Sequence, residues 1–325
     1  MILAGDIGGT KTTLALFEME GGRLVRRAEG SFPSGGHAGL ADVVHAFLPR
    51  PRPTLSAVGF GVAGPVSGGR ARTTNLPWEV DAGELGDLLG TPPALLLNDL
   101  EAMAWGIEML EPGEFQVLQD GSPDPEGGAA LIAAGTGLGE ALMIRHEGRF
   151  LPRATEGGHA DFAPGDAEAS AFLAWLQRGL GHVSAERVAS GMGLGSLYAY
   201  FHEPGRSHLP RHDPAGSDAA RILAESAAAG TCASCVKGFG LFLRCYGAEA
   251  GNLALKAGAT SGLFIGGGIA AKNLEAMGDG RFIRAFRAKG RYEGYMRNVP
   301  VKVLLNQSAP LLGAALAAAR LAGQL

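Results

Sequence analysis

Apolar residues open the chain in two short runs, residues 2–5 and 13–17, on either side of Gly8 and Gly9. Two such runs about a glycine turn predict a β-hairpin that starts a sheet. Residues 55–62 and 94–97 follow as candidates for buried strands, while 40–48 and 100–109 carry apolar positions at helical spacing. Strands alternating with helices predict an α/β domain with a covered sheet. The stretch 120–128, rich in Pro, Gly and Asp, reads as a loop. Beyond it residues 129–134 and 141–144 are again apolar about a glycine turn, 135–139, so strand, turn and strand occur twice and hint at a structural duplication. Residues 217–257 are Ala-rich with few β-branched runs and predict a helix in two pieces broken near Gly230. Residues 263–265 predict a strand running into Gly266, Gly267 and Gly268, and 310–321 predict a closing helix with Pro310 at its start.

A chain of 325 residues is long enough for about two domains. Lys and Arg total 28 against 32 Asp and Glu, a net charge of −4. No concentrated basic surface of the kind that holds a phosphate backbone is expected, and nucleic acid is not read as a partner. The 52 glycines gather in turns, where close backbone approach is needed. Three cysteines, Cys232, Cys235 and Cys245, leave an odd number and no disulfide framework, which fits a reducing compartment. The Cys232-x-x-Cys235 pair lacks a second pair and a redox-type setting at a helix start, and reads as small buried residues within the Ala-rich helix. The opening MILAGDIGGTKTTLALF carries no basic n-region or cleavage signature, and no apolar run has the length of a bilayer span. The expectation is a cytoplasmic protein without a membrane partner.

The first turn holds Asp6, Gly8, Gly9, Thr10, Lys11 and Thr12. Glycine lets backbone N–H groups approach an anion, and the two threonines add hydroxyl donors. Asp6, ending the first strand, is placed to hold Mg²⁺, directly or through water, beside a triphosphate. Neither the G-x-x-x-x-G-K-[ST] loop nor the dinucleotide fingerprint is present, and a plain tight turn is the rival reading. Gly135, Thr136 and Gly137 form a second such turn, and Gly267 with Gly268 a third that suits packing against a nucleobase and ribose. Asn98 and Asp99 lie where a strand runs into a helix. There Asp99 could act as a general base and Asn98 could orient a sugar, or the pair could simply cap the helix. Glu156 and His159, within Glu-Gly-Gly-His, and Glu186 further on offer polar planar groups that between them donate and accept towards sugar hydroxyls. A metal is the rival there, but neither H-E-x-x-H nor cysteines at structural spacing accompany them.

Taken in order, the segments DIGGTKT, TNLPW, LLNDLEA, AAGTGLGEA, EGGHADFAP, HVSAERVASG, GNLALKAGA, LFIGGGIA, KGRYEGYMRNVPV and APLLGAA resemble the bacterial glucokinases, relatives of hexokinases, actin and the large heat-shock chaperones. The resemblance covers nearly the whole chain. It implies an α/β, two-domain actin-like ATPase (ribonuclease H-like) fold with a cleft between a small domain, 1–108 plus 308–325, and a large domain, 109–307. It further implies a homodimer that uses ATP and Mg²⁺ to convert D-glucose to glucose 6-phosphate. Asp99 becomes the catalytic base, and Asn98, Asp99, Glu156, His159 and Glu186 the sugar contacts. The turns at Asp6–Thr12 and 135–139 become the phosphate loops, and the turn at 266–268 the adenosine contact. The neighbouring family of sugar kinases and repressors carries a C-x-C-G-x-x-G-C zinc motif after its Glu-x-Gly-His segment. No cysteine occurs here before Cys232, which places the chain in the zinc-free group. Two departures stand out: Met192 where close relatives tend to carry Pro, and Lys11 where Asn is common.

Three rival functions differ in what they require. A kinase for mannose, fructose or an N-acetylhexosamine would share every feature except the fine shape of the sugar pocket. A sugar-sensing repressor needs a basic helix-turn-helix ahead of the first phosphate loop, which here starts at Asp6. An actin-like or chaperone ATPase would have no use for Glu156, His159 and Glu186.

Overall fold

The computed structural model describes residues 1–73, 76–92, 94–202 and 217–325. Thr74 and Asn75, the first two residues of the TNLPW segment, lie outside them. The chain divides into two compact units, Met1–Pro112 with Asn306–Leu325, and Gly113–Leu305.

The first unit is built on strands β1 (Ile2–Ile7), β2 (Lys11–Glu20), β3 (Arg23–Pro33), β4 (Ala57–Val62) and β8 (Leu95–Asn98), with a minor sheet of β5 (Val66–Ser67), β6 (Arg70–Arg72) and β7 (Glu79–Asp81). The main sheet runs β3-β2-β1-β4-β8; β1 pairs antiparallel with β2, Ile2 opposite Phe17, and parallel with β4, Ile2 beside Ala57. The expected hairpin is therefore present, but β3 extends it. That third strand is mostly exposed and carries four charged residues, so its apolar signal is weak, as at many sheet edges. Apolar side chains cover both faces of the sheet: Leu3, Leu14, Phe60 and Val62 pack with Val43, Val44 and Trp78, while Ile2, Ala4 and Phe17 pack with Leu311, Ala314 and Ala318. The C-terminal helix Ala309–Leu321, with Pro at its N-terminal turn, thus closes the core of the unit that begins at Met1. It approaches so closely because Gly106 and Gly313 have no Cβ; one at either position would overlap the carbonyl of Ala309 or of Ala102.

The second unit is built on β9 (Phe115–Gln119), β10 (Ala129–Ala134), β11 (Leu138–His146), β12 (Arg149–Thr155), β13 (Gly262–Gly266) and β14 (Val301–Leu304), in the order β12-β11-β10-β13-β14-β9. An antiparallel meander of three strands is followed by two parallel ones, the plan of the first sheet, and β9 adds an antiparallel edge. The twice-occurring strand, turn and strand of the sequence is the visible part of this repetition. The Ala-rich stretch folds as helices Ser217–Ala228 and Ala233–Ala257, with Gly230 at φ +66° in the break. The longer helix is buried almost all round, through Phe239, Phe242, Tyr246 and Leu253, as a central helix of a large domain must be. Among the described residues no single helix is long and apolar enough to cross a membrane.

Candidate active site

Asp6 is the penultimate residue of β1, and Asp99 opens the helix Asp99–Gly106 that follows β8. Parallel pairing of β1 with β4 and of β4 with β8 sets Asp6 beside Gly61 and Asn98 beside Val62. The two carboxylates therefore rise at the same C-terminal sheet end, where α/β folds bind ligands. A side chain at Gly61 would press on Ala102 and crowd the start of the Asp99 helix. Burial, reinforced by the Asp99 charge and offset in part by Lys11, raises the Asp6 pKa to about 6. Asp99 is also raised by burial, with the Leu100 N–H donating to Oδ1 at 2.9 Å working the other way. The capping reading of Asn98-Asp99 is present in the structure. Asn98 is the N-cap, its Oδ1 accepting from Leu100 N at 2.9 Å and its Nδ2 donating to the Gly64 carbonyl at 3.1 Å. Asp99 is then the first helical residue.

The turn after β1 is held from beneath. Gly8 N–H donates to the Lys11 carbonyl at 3.0 Å, and Ser34 spans the turn, its Oγ donating to Gly8 O at 2.8 Å and its N–H to Thr10 O at 3.0 Å. Thr12 is fully buried with its hydroxyl on Ser34 Oγ at 2.9 Å. The expectation that its hydroxyl donates to a phosphate is thus corrected: that group braces the turn. Gly8, Gly9, Thr10 and Lys11 remain on the accessible side.

In the second unit the turn between β10 and β11 closes with Gly135 N–H on the Gly137 carbonyl at 2.9 Å, while Gly191 N–H donates to Gly135 O at 2.9 Å. Glu186 lies against this turn. Its Oε2 accepts from Leu138 N at 3.0 Å and occupies the space a Cβ on Gly137 would need. The short 3-10 turn Gly157–His159 brings in the other two expected groups. His159 Nδ1 is 3.8 Å from Glu186 Oε1, and Nε2 is 3.8 Å from Glu156 Oε2. Side-chain exposure is 84 % for Glu156, 62 % for His159 and 17 % for Glu186, so an open rim stands over a half-buried acid. Met192 sits in the first turn of the helix Gly191–Phe201.

Gly267, at φ +85°, leads from β13 into the helix Gly268–Lys272, and a Cβ there would overlap the Ala134 carbonyl. A pocket of about 270 Å³ is lined by Ala227, Val236, Phe239, Lys272, Asn273 and Leu274. None of these six was singled out from the sequence, because they come from four separate helices.

Two further residue groups were missed or misread. Glu140, on β11, is 1 % exposed, and its Oε1 has no hydrogen-bond partner. Burial, with the Glu249 charge adding and Lys256 offsetting, raises its pKa to about 7. It lies directly beneath Gly157, whose absent Cβ leaves room for Oε2. A lone acid inside an apolar strand was the available signal. The C-x-x-C pair was read as lying within a helix, away from any helix start. In the structure Cys232 is itself the N-cap of Ala233–Ala257, so that reading is corrected.

Paired sheets with glycine turns at matching places belong to the actin-like ATPase fold, and solved structures agree. A glucokinase from an Antarctic psychrotroph is 29 % identical, with a TM-score of 0.88 over 98 % of both chains. A ROK-family glucokinase from Streptomyces griseus, solved with glucose and AMPPNP, shares the fold at 24 % identity and a TM-score of 0.62, over 98 % of this chain and 99 % of that one. Within the fold this chain is a hexose kinase. The glucokinase of Nostoc punctiforme is 36 % identical over 99 % of both chains. The family model for glucokinase matches residues 3–321, and the chain belongs to the glucokinase family.

Proposed function

We propose that this family member moves the γ-phosphoryl group of ATP to the 6-hydroxyl of D-glucose, with Asp99 accepting the hydroxyl proton. The observation that carries the assignment is the setting of Asp99: a partly buried carboxylate at a strand-to-helix joint, fixed by the Leu100 N–H and raised above the usual carboxylate range. A raised pKa makes a stronger base, provided the group is still ionised at working pH. Asn98, Glu156, His159 and Glu186 bind the sugar hydroxyls in this reading. Gly8, Gly9, Thr10, Lys11, Gly135, Thr136 and Gly137 offer backbone and side-chain donors to the phosphates. Gly267 and Gly268 face the adenosine, with the pocket lined by Val236, Phe239 and Lys272 as its extension. The AMPPNP bound by the Streptomyces griseus enzyme supports ATP as donor.

Asp6 fits a hard cation. Its acidity is weakened by burial and by the like charge of Asp99, and an oxygen donor so short of positive charge suits Mg²⁺. When bound, Mg²⁺ supplies charge neutralisation at the phosphates. Resemblance to the bacterial enzymes supports a homodimer acting in the cytoplasm, which sedimentation of the purified chain and cell fractionation test.

A coupled assay with Mg-ATP against glucose, mannose, fructose and N-acetylglucosamine decides the substrate. Turnover confined to glucose is expected. Faster turnover of another hexose reassigns the pocket, and ATP binding without any sugar turnover overturns the reading.

A further inference from the structure

We propose that Cys232, Cys235 and His202 form a site for a thiophilic divalent cation of the zinc class, with a fourth position open to water. The site lies at the N-terminus of the central helix Ala233–Ala257 and shares no residue with the proposed kinase chemistry. One ligand atom from each of the three residues lies within 4.8 Å of the others. Cys232 Sγ stands 3.6 Å from His202 Nε2. A tetrahedral centre with Zn–S of about 2.3 Å and Zn–N of about 2.0 Å would set these two atoms about 3.5 Å apart, so the pair already has the required spacing.

The imidazole is prepared as a ligand. Its Nδ1 lies 2.6 Å from the Tyr198 carbonyl, which can only accept, so Nδ1 carries the proton and the Nε2 lone pair faces sulfur. A ligating histidine ordinarily donates its second ring nitrogen to a carbonyl or carboxylate in this way. The ring is also held flat on Tyr198, at 3.9 Å between centroids and 21° between planes. On the cysteine side, Cys232 Sγ accepts from Cys235 N–H at 3.4 Å, at a helix end whose partial positive charge favours thiolate. A spacing of three residues along the first helical turn brings both sulfurs to the same side. Cys235 is 1 % exposed, while Cys232 and His202 are partly open, which leaves an entry path.

Exchange of the dithiol with a small external disulfide would need only the two sulfurs. The third ligand, and the hydrogen bond that fixes its free nitrogen, favour the cation. The arrangement is not the zinc motif of the neighbouring sugar kinases, whose cysteines follow the Glu-x-Gly-His segment.

The test is a titration of the full chain, purified under reductant and stripped by chelator, with Co²⁺ as spectroscopic probe and then Zn²⁺. Expected are one equivalent bound, a thiolate-to-cobalt charge-transfer band, and loss of that band on adding Zn²⁺. Cys232→Ser and His202→Ala should each weaken binding at least about 10-fold while leaving the far-ultraviolet circular dichroism unchanged. Absence of the band in the wild type overturns the proposal, as does unchanged affinity in both variants. Rapid formation of a Cys232–Cys235 disulfide with oxidised glutathione, in a protein that binds no metal, assigns the pair to thiol exchange instead.

Discussion

Among the described residues, burial raises three carboxylates above their ordinary value: the half-buried Asp6 and Asp99 and the buried Glu140. In the proposed reaction the raised basicity of Asp99 would serve proton transfer. Asp99→Asn keeps the shape and removes the base, so kcat should fall by about 10²- to 10⁴-fold while glucose affinity, read by calorimetry, changes little; retention of most of kcat would remove Asp99 from the base role. Glu140 has no such task in the proposed reaction and bears a cost. Its pKa is about 7 in the folded state against 4.5 as the ordinary value. Between those values the folded chain binds the extra proton, so the contribution is fully present below pH 4.5 and is lost as pH rises through about 7. The loss is on the order of 3 kcal/mol. Glu140→Gln should abolish it: Tm of the wild type should fall between pH 5 and 8 relative to the variant, and parallel curves would refute the assignment.

At the scale of elements, two local devices can be weighed against each other. Asn98 caps the Asp99–Gly106 helix in the ordinary way, and Asn98→Ala should cost about 1 kcal/mol through the lost cap. Its effect on glucose KM is separable from that cost, since a cap alone changes stability and leaves KM unmoved. Gly106 and Gly313 oppose simple helix propensity. Ala in place of a mid-helix Gly gains about 1 kcal/mol in isolation, yet here the added methyl overlaps a carbonyl of the facing helix. Overlap should win, with a net loss of at least about 1–3 kcal/mol and a lower denaturation midpoint for Gly313→Ala; a stabilised variant would contradict the close crossing. Edge elements show the limit of pattern reading. β3 and β12 were not anticipated, because strands with one open flank and polar faces show little apolar alternation.

At the scale of the molecule, the first unit is assembled from both ends of the chain and the second from one continuous stretch. Deleting residues 309–325 should therefore expose Ile2, Ala4 and Phe17 and make the N-terminal stretch sensitive to protease, while 113–305, with its own core, resists; equal resistance of both halves would show that the helix is dispensable. The repeated sheet plan was half visible in advance, since apolar runs about glycine turns are local signals. Strands, turns, helix breaks at Gly230 and the carboxylate at the end of β8 were determined by the sequence itself, because periodicity and backbone preference act over a few residues. Which distant groups meet was decided only by tertiary structure. Parallel register puts Asp6 near Asp99, Gly157 leaves room for Glu140, and His202 faces Cys232 across 30 residues of chain. Such meetings depend on how whole sheets and helices pack, and no short window of sequence contains that information.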